Sequence, residues 1–431
     1  MLDLLIKNAT VIDRQSPVDI GCLNGRISLV EPQIQEQAET EIDAKQQLVT
    51  PPFVDSHFHM DSTLSYGRPR VNQSGTLLEG IALWSELKPD LTVDDIKQRA
   101  LTLCGWAVAQ GNLAIRSHVD ICDQELTAVH ALLDVRETVK PYLDLQLVAF
   151  PQDGYFRYAG AIDLLTRALD LGVDVVGGIP HFERTMADGA QSVRELCQIA
   201  EERGLMVDMH CDESDDPQSR HIETLASETQ RLGLQGRVTG SHLTSMHSMD
   251  NYYAGKLMSL IAESQVHAVA NPLINITLQG RSDSYPKRRG MMRVKEMMQL
   301  GINVAFGHDC VLDPWYSLGT HDMLEVANMG LHVGQMTGVA EMRQAFNSVT
   351  SNAAMVLGLE NYGLEPGCNA DMVILQAADP IEALRLKANR LFVIRHGKVI
   401  AESEPAKTTL KMFNTESVTR FSQTELNNPT H

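Results

Sequence analysis

The 431-residue chain contains 43% hydrophobic and 21% charged residues, an ordinary globular composition that excludes disordered and collagen-like proteins. Acidic residues outnumber basic ones by 55 to 36, and the formal net charge is −19. Because such a surface repels phosphate groups, nucleic acid and anionic membranes are disfavoured as partners. We therefore expect a small, neutral ligand.

The seven cysteines include no C-x-x-C pair, which argues against a disulfide framework and a thiolate zinc site and fits a reducing compartment. Asp3 and Lys7 interrupt the apolar N-terminal stretch, which is therefore unlike a signal peptide. No apolar run reaches the roughly 18 residues that span a bilayer. We expect a cytoplasmic protein with no membrane partner.

Residues 1–51 consist of short apolar runs separated by turn signals, and Asn24-Gly25 between two such runs predicts a hairpin. The same pattern returns in residues 363–431, where His396-Gly397 marks a second turn. We predict that the two ends of the chain combine into one small composite β-sandwich domain. The polar segment 415–431 is expected to be loosely ordered.

Residues 52–362 alternate between short apolar runs and amphipathic stretches of helical period. The eight apolar runs are LVTPPFVDSH, LAIRSHVDI, LQLVAFPQ, VDVVGGIPH, LMVDMHCDE, RVTGSHL, AVANPLINI and INVAFGHD. Most helical stretches end in glycine, as is typical of helix C-caps. Eight such units in about 300 residues predict an α/β fold, a (β/α)₈ TIM barrel.

Polar residues are concentrated at one end of the predicted strands. Seven of the eight runs carry a His, Asp, Glu or Gln at or just past their C-terminal end. In a TIM barrel these ends form a single face, on which the active site lies. This concentration indicates an enzyme.

The first run ends in His57-x-His59, and residues two apart in a strand point to the same side, so both imidazoles can bind one ion. His210 ends the fifth run, His242 the sixth and Asp309 the eighth. Such a set leaves a coordination position for water, whose pKa a divalent ion lowers to about 7. The sequence therefore predicts a catalytic metal site in which His242 is either a ligand or a neighbouring hydrogen-bond donor.

Six segments together resemble the cytosine deaminase branch of the amidohydrolase superfamily: PPFVDSHFHMDST, LVAFPQDG, DMHCDESDD, SHLTSMHS, NPLINITLQGRSDSYPKRRG and FGHDCVLDPWYSLGT. The resemblance covers the whole barrel and extends to GLEPGCNADMVIL in the small domain. It implies a hydrolase acting on the C–N bond of a cyclic amidine. The expected reaction converts a free cytosine-type base to its 4-oxo product and releases ammonia.

The resemblance also implies one divalent ion per subunit, Fe²⁺ or Zn²⁺, held by His57, His59, His210 and Asp309. A single ion agrees with the fourth run, VVGGIPHFE, which lacks the lysine that binuclear relatives carboxylate at this place. The family further suggests a homo-oligomer, specifically a hexamer.

Glu213 lies three residues past His210, close enough to move a proton from the attacking water to a ring nitrogen, a role that contributes about 10² to 10⁴ in rate. The alternative is a solvated loop acid, since Asp212, Asp215 and Asp216 are its neighbours. Gln152 matches the family's substrate-binding glutamine and offers an amide donor and acceptor to a pyrimidine edge, unless it is simply a loop amide.

Phe150 and Trp315 are candidate apolar walls for a planar ring, although a lone aromatic is usually part of a core. Asp313 and His181 are polar residues at loop ends without an assigned role. His118 and Asp120 are not predicted to be ligands. We interpret the basic loop Arg281–Arg289 as structural or as a lid.

Many cytosine deaminases of this type carry a second aspartate directly after the metal-binding one, whereas this chain has Cys310. A carboxylate pressed against a methyl group would be desolvated without compensation, while cysteine behaves as a small hydrophobe. We predict that 5-methylcytosine is accepted as well as or better than cytosine. The alternatives are a neutral substitution with cytosine preferred, a deaminase of isoguanine or creatinine, or a barrel that binds a base without turning it over.

Overall fold

The computed structural model describes residues 1–412 and 415–419. The N-terminal strands are β1 Leu2–Val11, β2 Val18–Leu23, β3 Arg26–Glu31, β4 Ala38–Asp43 and β5 Leu48–Thr50. Strands β2 and β3 pair in antiparallel fashion across Asn24 and Gly25, whose φ angles of 53° and 73° are those of a tight two-residue turn. The predicted hairpin is therefore confirmed.

Eight parallel strands form the barrel, each paired with the next along the chain. They are β6 Phe53–Phe58, β7 Asn112–Asp120, β8 Asp144–Phe150, β9 Val175–Gly178, β10 Met206–Cys211, β11 Val238–His242, β12 His267–Ala270 and β13 Val304–Phe306. The barrel closes just past β13, where the Asp309 N–H donates to the His57 carbonyl at 2.8 Å and the His59 N–H donates to the Asp309 carbonyl at 2.9 Å. The predicted (β/α)₈ barrel is confirmed.

The α-helices of the described residues lie mostly in the connections between these strands. They are α1 Leu77–Leu87, α2 Val93–Ala109, α3 Thr127–Val139, α4 Ala161–Asp170, α5 Met186–Arg203, α6 His221–Leu232, α7 Asn251–Glu263, α8 Pro272–Leu278, α9 Val294–Gln299, α10 Met323–Gly334, α11 Val339–Asn347, α12 Ser351–Leu357 and α13 Pro380–Leu386.

Helix α5 shows how the sequence sets the ends of these helices. The Thr185 hydroxyl accepts a hydrogen bond from the Asp188 N–H at 3.1 Å, which satisfies a backbone donor that the first turn leaves free. Gly204 ends the helix in the left-handed region, with φ 67°. Between these caps, an apolar stripe that includes Val193, Leu196 and Ala200 is buried in the protein core.

The small domain is completed by strands from the other end of the chain: β14 Met372–Leu375, β15 Arg390–Arg395 and β16 Lys398–Glu402. Strand β14 pairs with β5, with Val373 opposite Thr50, and β5 in turn pairs with β1. The strand order is therefore β16-β15-β14-β5-β1-β2-β3, with β4 on the other part of β1. A separate apolar core, with members such as Ile6, Val49 and Ile374, lies within this domain.

A final hairpin follows, made of β17 Thr408–Met412 and β18 Thr415–Thr419. The expectation of a loosely ordered segment from residue 415 onward is therefore wrong for 415–419, where threonine and valine favour a strand. The remainder of that segment, 420–431, lies outside the described residues. In the part of the chain that is described, no helix is long and apolar enough to cross a bilayer.

Candidate active site

The four predicted metal ligands come together at the C-terminal end of the barrel. His57 and His59 stand at the end of β6, His210 on β10 and Asp309 just past β13. The Nε2 atom of His59 lies 3.0 Å from Nε2 of His210 and 3.6 Å from Oδ1 of Asp309, and Nε2 of His57 lies 3.9 Å from Oδ2 of Asp309. Their donor atoms therefore converge on one small volume.

Several of these donor atoms have no hydrogen-bond partner among the described residues, although they are fully buried. They are both ring nitrogens of His57, Nδ1 of His210 and Oδ2 of Asp309. Leaving buried polar atoms unpaired is costly, and native proteins rarely do so without a ligand. The nitrogen and oxygen donors suit Zn²⁺ or Fe²⁺, so the residues present fit a divalent ion.

Burial also sets the protonation of the ligand set. Desolvation holds the pKa of His57 and of His210 well below the usual histidine range, and lowers the pKa of His59 to about 4. All three imidazoles are therefore neutral at pH 7, which is the form that binds a metal. Desolvation raises the pKa of Asp309 well above its usual value, so this carboxylate requires a nearby cation to remain charged.

The backbone around the site adopts conformations that most residues avoid. His242 and Asp309 have φ angles of 72° and 71°, in the left-handed region that residues other than glycine rarely adopt. Such strained residues cluster at active sites. Gly307 allows the close approach of this segment to β6, because a Cβ there would lie 2.6 Å from Cβ of His57.

His242 and Glu213 lie beside the four predicted metal ligands His57, His59, His210 and Asp309, which we call the ligand cluster. Nε2 of His242 lies 3.6 Å from Oδ2 of Asp309, and its Nδ1 lies 3.4 Å from Oε1 of Glu213. Glu213 is only 8% exposed, and burial raises its pKa to about 8. The Glu213 side chain is therefore buried within the site rather than solvated like a surface loop acid, and it is able to hold a proton at neutral pH.

A cavity of about 500 Å³, counted with its open mouth, lies above the ligand cluster. Its size is in the range of small-molecule sites. Its walls combine apolar side chains from several loops with a few polar groups. They are His59, Leu77, Ile81, Gln152, Ile179, His181, Phe182, His210, Glu213, His242, Ile274, Leu278, Asp309, Cys310 and Trp315. The predicted residues Gln152, Cys310 and Trp315 are thus all brought to this cavity.

The loop after β13 is held by Asp313, for which the sequence assigned no role. One carboxylate oxygen of Asp313 accepts hydrogen bonds from the backbone N–H groups of Trp315 and Tyr316, both at 2.9 Å, and the other accepts from the Ser62 hydroxyl at 3.0 Å. Gly80 of α1 packs directly on the Trp315 indole, since a Cβ there would lie 2.3 Å from the ring. The indole is therefore fixed from two sides.

Phe150 does not line the cavity, which corrects its assignment as a wall. Its side chain is fully buried and stacks on the His210 imidazole, with ring centroids 4.1 Å apart and planes 16° apart. Phe150, the last residue of β8, thus packs against the predicted ligand His210 and not on the cavity wall. His181 lines the cavity instead, and its Nδ1 lies 3.2 Å from the His210 carbonyl oxygen.

His118 is closer to the ligand cluster than the sequence analysis indicated. Its ring lies 4.2 Å from that of His57, between centroids, and it is fully buried. Two residues earlier on the same face of β7, Arg116 forms a buried ion pair with Asp208 at 2.9 Å. The alternation along β7 was the signal that would have predicted an inward-facing His118. Asp120 is bound instead by Lys88 at 2.8 Å.

The basic loop is held by hydrogen bonds within its own segment and to the loop after β10. Arg288 pairs with Asp283 and donates to the Asp215 carbonyl at 3.0 Å, and Lys287 donates to the Gly280 carbonyl at 3.0 Å. These contacts favour the structural interpretation of the loop.

Two asparagines of the site were not predicted from the sequence. Asn271 directly precedes α8, Asn275 lies within it, and both contact the ring of His242. The signal available was their spacing of four residues, which places them on one face of a helical turn.

The chain belongs to the amidohydrolase family, whose profile matches residues 40–405. A crystal structure of 5-methylcytosine deaminase from Klebsiella pneumoniae, liganded with 5-fluorocytosine, is 43% identical in sequence. It superimposes with a TM-score of 0.90, covering 93% of this chain and 98% of that chain. This similarity supports the predicted cytosine deaminase branch.

Other relatives in the family act on different compounds. N-isopropylammelide isopropyl amidohydrolase from Pseudomonas sp. (strain ADP) is 31% identical over 409 residues, which are 93% of this chain and 98% of that protein. Pterin deaminase from Rhizobium rhizogenes is 29% identical over 393 residues, which are 90% of this chain and 88% of that protein. The shared chemistry of these relatives is hydrolysis at a C–N bond.

Proposed function

We propose that this protein deaminates free cytosine-type bases and accepts 5-methylcytosine at least as well as cytosine. The observation that carries the proposal is the position of Cys310, which lines the cavity directly beside the ligand Asp309. The 43% identity to a 5-methylcytosine deaminase supports the same substrate class.

His57, His59, His210 and Asp309 would hold one divalent ion, Fe²⁺ or Zn²⁺. When bound, such an ion supplies hydroxide near neutral pH by lowering the pKa of a water molecule to about 7. Phe150 and Gly307 serve this arrangement indirectly, since one supports the His210 ring and the other lets the Asp309 segment approach β6.

Glu213 moves the protons of the reaction. Its carboxylate takes a proton from the attacking water and delivers it to N3 of the base while the oxygen bonds to C4. Glu213 then takes the remaining proton of that water from the hydroxyl now on C4 and passes it to the exocyclic nitrogen. The C4–N bond breaks, C4 keeps the oxygen as a carbonyl, and ammonia leaves. One water is consumed, and cytosine becomes uracil or 5-methylcytosine becomes thymine.

Gln152 and Trp315 bind and orient the ring. The amide of Gln152 can accept from N1–H and donate to O2 of a pyrimidine, and the fixed indole of Trp315 offers an apolar surface to the ring. No Arg or Lys is among the described residues that line the cavity, which suits an uncharged base.

Cys310 places an uncharged side chain on the cavity wall, at the position where many cytosine deaminases carry a second aspartate. Its side chain is 3% exposed, its Sγ lies 3.3 Å from Oδ1 of Asp309, and burial raises the pKa of the thiol well above its usual value. A neutral thiol can contact a 5-methyl group without desolvating a charge.

The test is kcat/KM for ammonia release from cytosine and from 5-methylcytosine, in the wild type and in Cys310→Asp. One methyl group in a pocket is worth about 1–3 kcal/mol, so we expect the ratio of 5-methylcytosine to cytosine to fall by about 5- to 150-fold in the variant. Cys310→Ser, which keeps a small neutral side chain, should retain most of the wild-type ratio. An unchanged ratio in Cys310→Asp would refute the role of this residue.

A second candidate is a deaminase of another ring, favoured by the 31% identity to N-isopropylammelide isopropyl amidohydrolase. The same cluster of ligands and the same glutamate would serve it. A panel of cytosine, 5-methylcytosine, isoguanine, creatinine and N-isopropylammelide separates the two candidates. A higher kcat/KM for any of the last three compounds would replace cytosine as the substrate class.

A further inference from the structure

Asn275 connects the helix α8 to the imidazole of His242. Its side chain is fully buried and makes two hydrogen bonds. Its Oδ1 accepts from the backbone N–H of Asn271 at 3.1 Å, and its Nδ2 lies 3.0 Å from Nδ1 of His242.

The first of these bonds fixes which way the amide points. The two ends of an asparagine amide are similar in shape, so their assignment rests on the partners of each end. A backbone N–H can only donate, and the atom that faces Asn271 must therefore be the oxygen. It follows that the nitrogen of the Asn275 amide faces His242.

The orientation of the amide in turn fixes the proton on the imidazole. An amide nitrogen can only donate, so Nδ1 of His242 must accept. A neutral imidazole that accepts at Nδ1 carries its proton on Nε2. This is the nitrogen that lies 3.6 Å from Oδ2 of the ligand Asp309.

The other neighbours of the ring do not compete for the Nδ1 lone pair. Nδ2 of Asn271 lies 3.3 Å from Nδ1 and 3.4 Å from Nε2 of His242, and these nearly equal distances place it over the face of the ring. Oε1 of Glu213 is farther from Nδ1 than the amide is, at 3.4 Å. The Asn275 amide, at 3.0 Å, therefore makes the shortest of these contacts with Nδ1.

We infer that Asn275 is a positioning residue that holds His242 in the Nε2–H tautomer. Neither ring nitrogen then has a free lone pair, so His242 acts as a hydrogen-bond donor toward the ligand cluster and not as a metal ligand. The consequence for catalysis rests on the proposed function, because the group that receives this hydrogen bond is the attacking water or the substrate.

The tautomer is measured directly by long-range ¹H–¹⁵N correlation on the full chain, labelled with ¹⁵N-histidine and loaded with diamagnetic Zn²⁺. His242→Gln identifies the signal. We expect an unprotonated Nδ1 and a protonated Nε2 in the wild type. A proton on Nδ1 of His242 in the wild type would overturn the inference, whether or not the protein deaminates any base.

The variants add a functional readout. In Asn275→Asp, a carboxylate oxygen replaces the amide donor, so the imidazole proton of His242 should move to Nδ1. We expect kcat to fall by about 10- to 100-fold, the usual cost of losing a residue that hydrogen-bonds to the groups around a metal. The zinc content should be retained. Asn275→Ala removes the donor without adding charge, and should lower kcat and mix the tautomers. A wild-type tautomer and wild-type kcat in both variants would also overturn the inference.

A matched control exists elsewhere in the barrel. Nδ2 of Asn303 lies 3.1 Å from Nδ1 of His267, whose Nε2 lies 3.1 Å from the Gly236 carbonyl oxygen. Asn303→Asp makes the same substitution beside a histidine outside the site, and it should leave kcat and the His242 signals unchanged. If the His242 tautomer is as inferred but cytosine bases are not deaminated, the proposed function fails and the inference stands.

Discussion

Buried histidines at the two ends of the barrel differ in whether their ring nitrogens have hydrogen-bond partners. At the N-terminal end, His267 is 7% exposed and both of its ring nitrogens have partners, the Asn303 amide and the Gly236 carbonyl. At the C-terminal end, His57 is fully buried and neither ring nitrogen has a partner among the described residues. Because unpaired buried polar atoms destabilise a fold, the unpaired ring nitrogens of His57 indicate a ligand-binding site. The paired ring nitrogens of His267 instead stabilise the fold.

The buried polar side chains between these two ends have hydrogen-bond partners, as His267 does at the N-terminal end. Arg116 donates to Asp208 at 2.9 Å, to the Gln146 side chain at 2.7 Å and to the Val356 carbonyl at 2.8 Å. The change from satisfied to unsatisfied groups therefore occurs within two residues along β7 and β10, from Arg116 to His118 and from Asp208 to His210.

The largest effect is expected where a histidine of the predicted metal site is removed. His210→Ala removes a nitrogen ligand, so bound metal should be lost and deamination should fall by more than about 10⁴-fold, the upper limit expected for losing a proton-transfer group alone. His267→Ala, at the other end, should reduce stability but keep metal and turnover per folded molecule. Elemental analysis and ammonia release measure both. Full metal occupancy and undiminished turnover in His210→Ala would break the contrast between the two ends.

A smaller loss is expected from Glu213→Gln, which preserves the shape of the side chain but cannot move a proton. We expect kcat to fall by about 10² to 10⁴, with metal content unchanged. The matched control is Glu223→Gln on α6, a side chain that is 43% exposed and accepts from the Tyr253 hydroxyl. If both variants turn over alike, Glu213 is not the group that moves the proton.

Breaking the buried ion pair between Arg116 and Asp208 should have the smallest effect on activity and the clearest effect on stability. Asp208→Asn leaves the Arg116 guanidinium buried without its counter-charge, and losing one partner of a buried pair costs about 3–5 kcal/mol in the free energy of unfolding. Asp134→Asn breaks the exposed pair between Asp134 and Lys97, at 3.1 Å, and should cost less than about 1 kcal/mol. Urea unfolding followed by circular dichroism compares the two, and equal losses would contradict the expectation.

The fold and the ligand cluster could be predicted because their signals are local. Eight apolar runs gave the strands, and polar residues at the run ends, such as His57 and Asp309, had to meet on one face of any parallel barrel. The hairpin at Asn24-Gly25 followed from the conformations that those two residue types tolerate.

What the sequence did not reveal depends on side-chain direction and on non-local contact. Phe150 ends a strand as the predicted ligands do, yet its ring packs against His210 and does not line the cavity. Asn275 carries no catalytic signal by itself, since its role arises only where α8 meets the end of β11. His118 was readable from the alternation along β7, but its closeness to His57 was not.

The pairing of β5 with β14 has a consequence for biosynthesis. Thr50 meets Val373, which leaves the ribosome more than 300 residues later. At about 5–20 residues per second, the first strands wait between roughly a quarter of a minute and a minute for their neighbours. Throughout that interval Leu4, Ile6 and Val49 lack the cover of Met372 and Ile374, with which they share a core in the finished protein. We therefore expect the growing polypeptide to be most prone to aggregation until β14 has been synthesised, which happens after the last barrel strand.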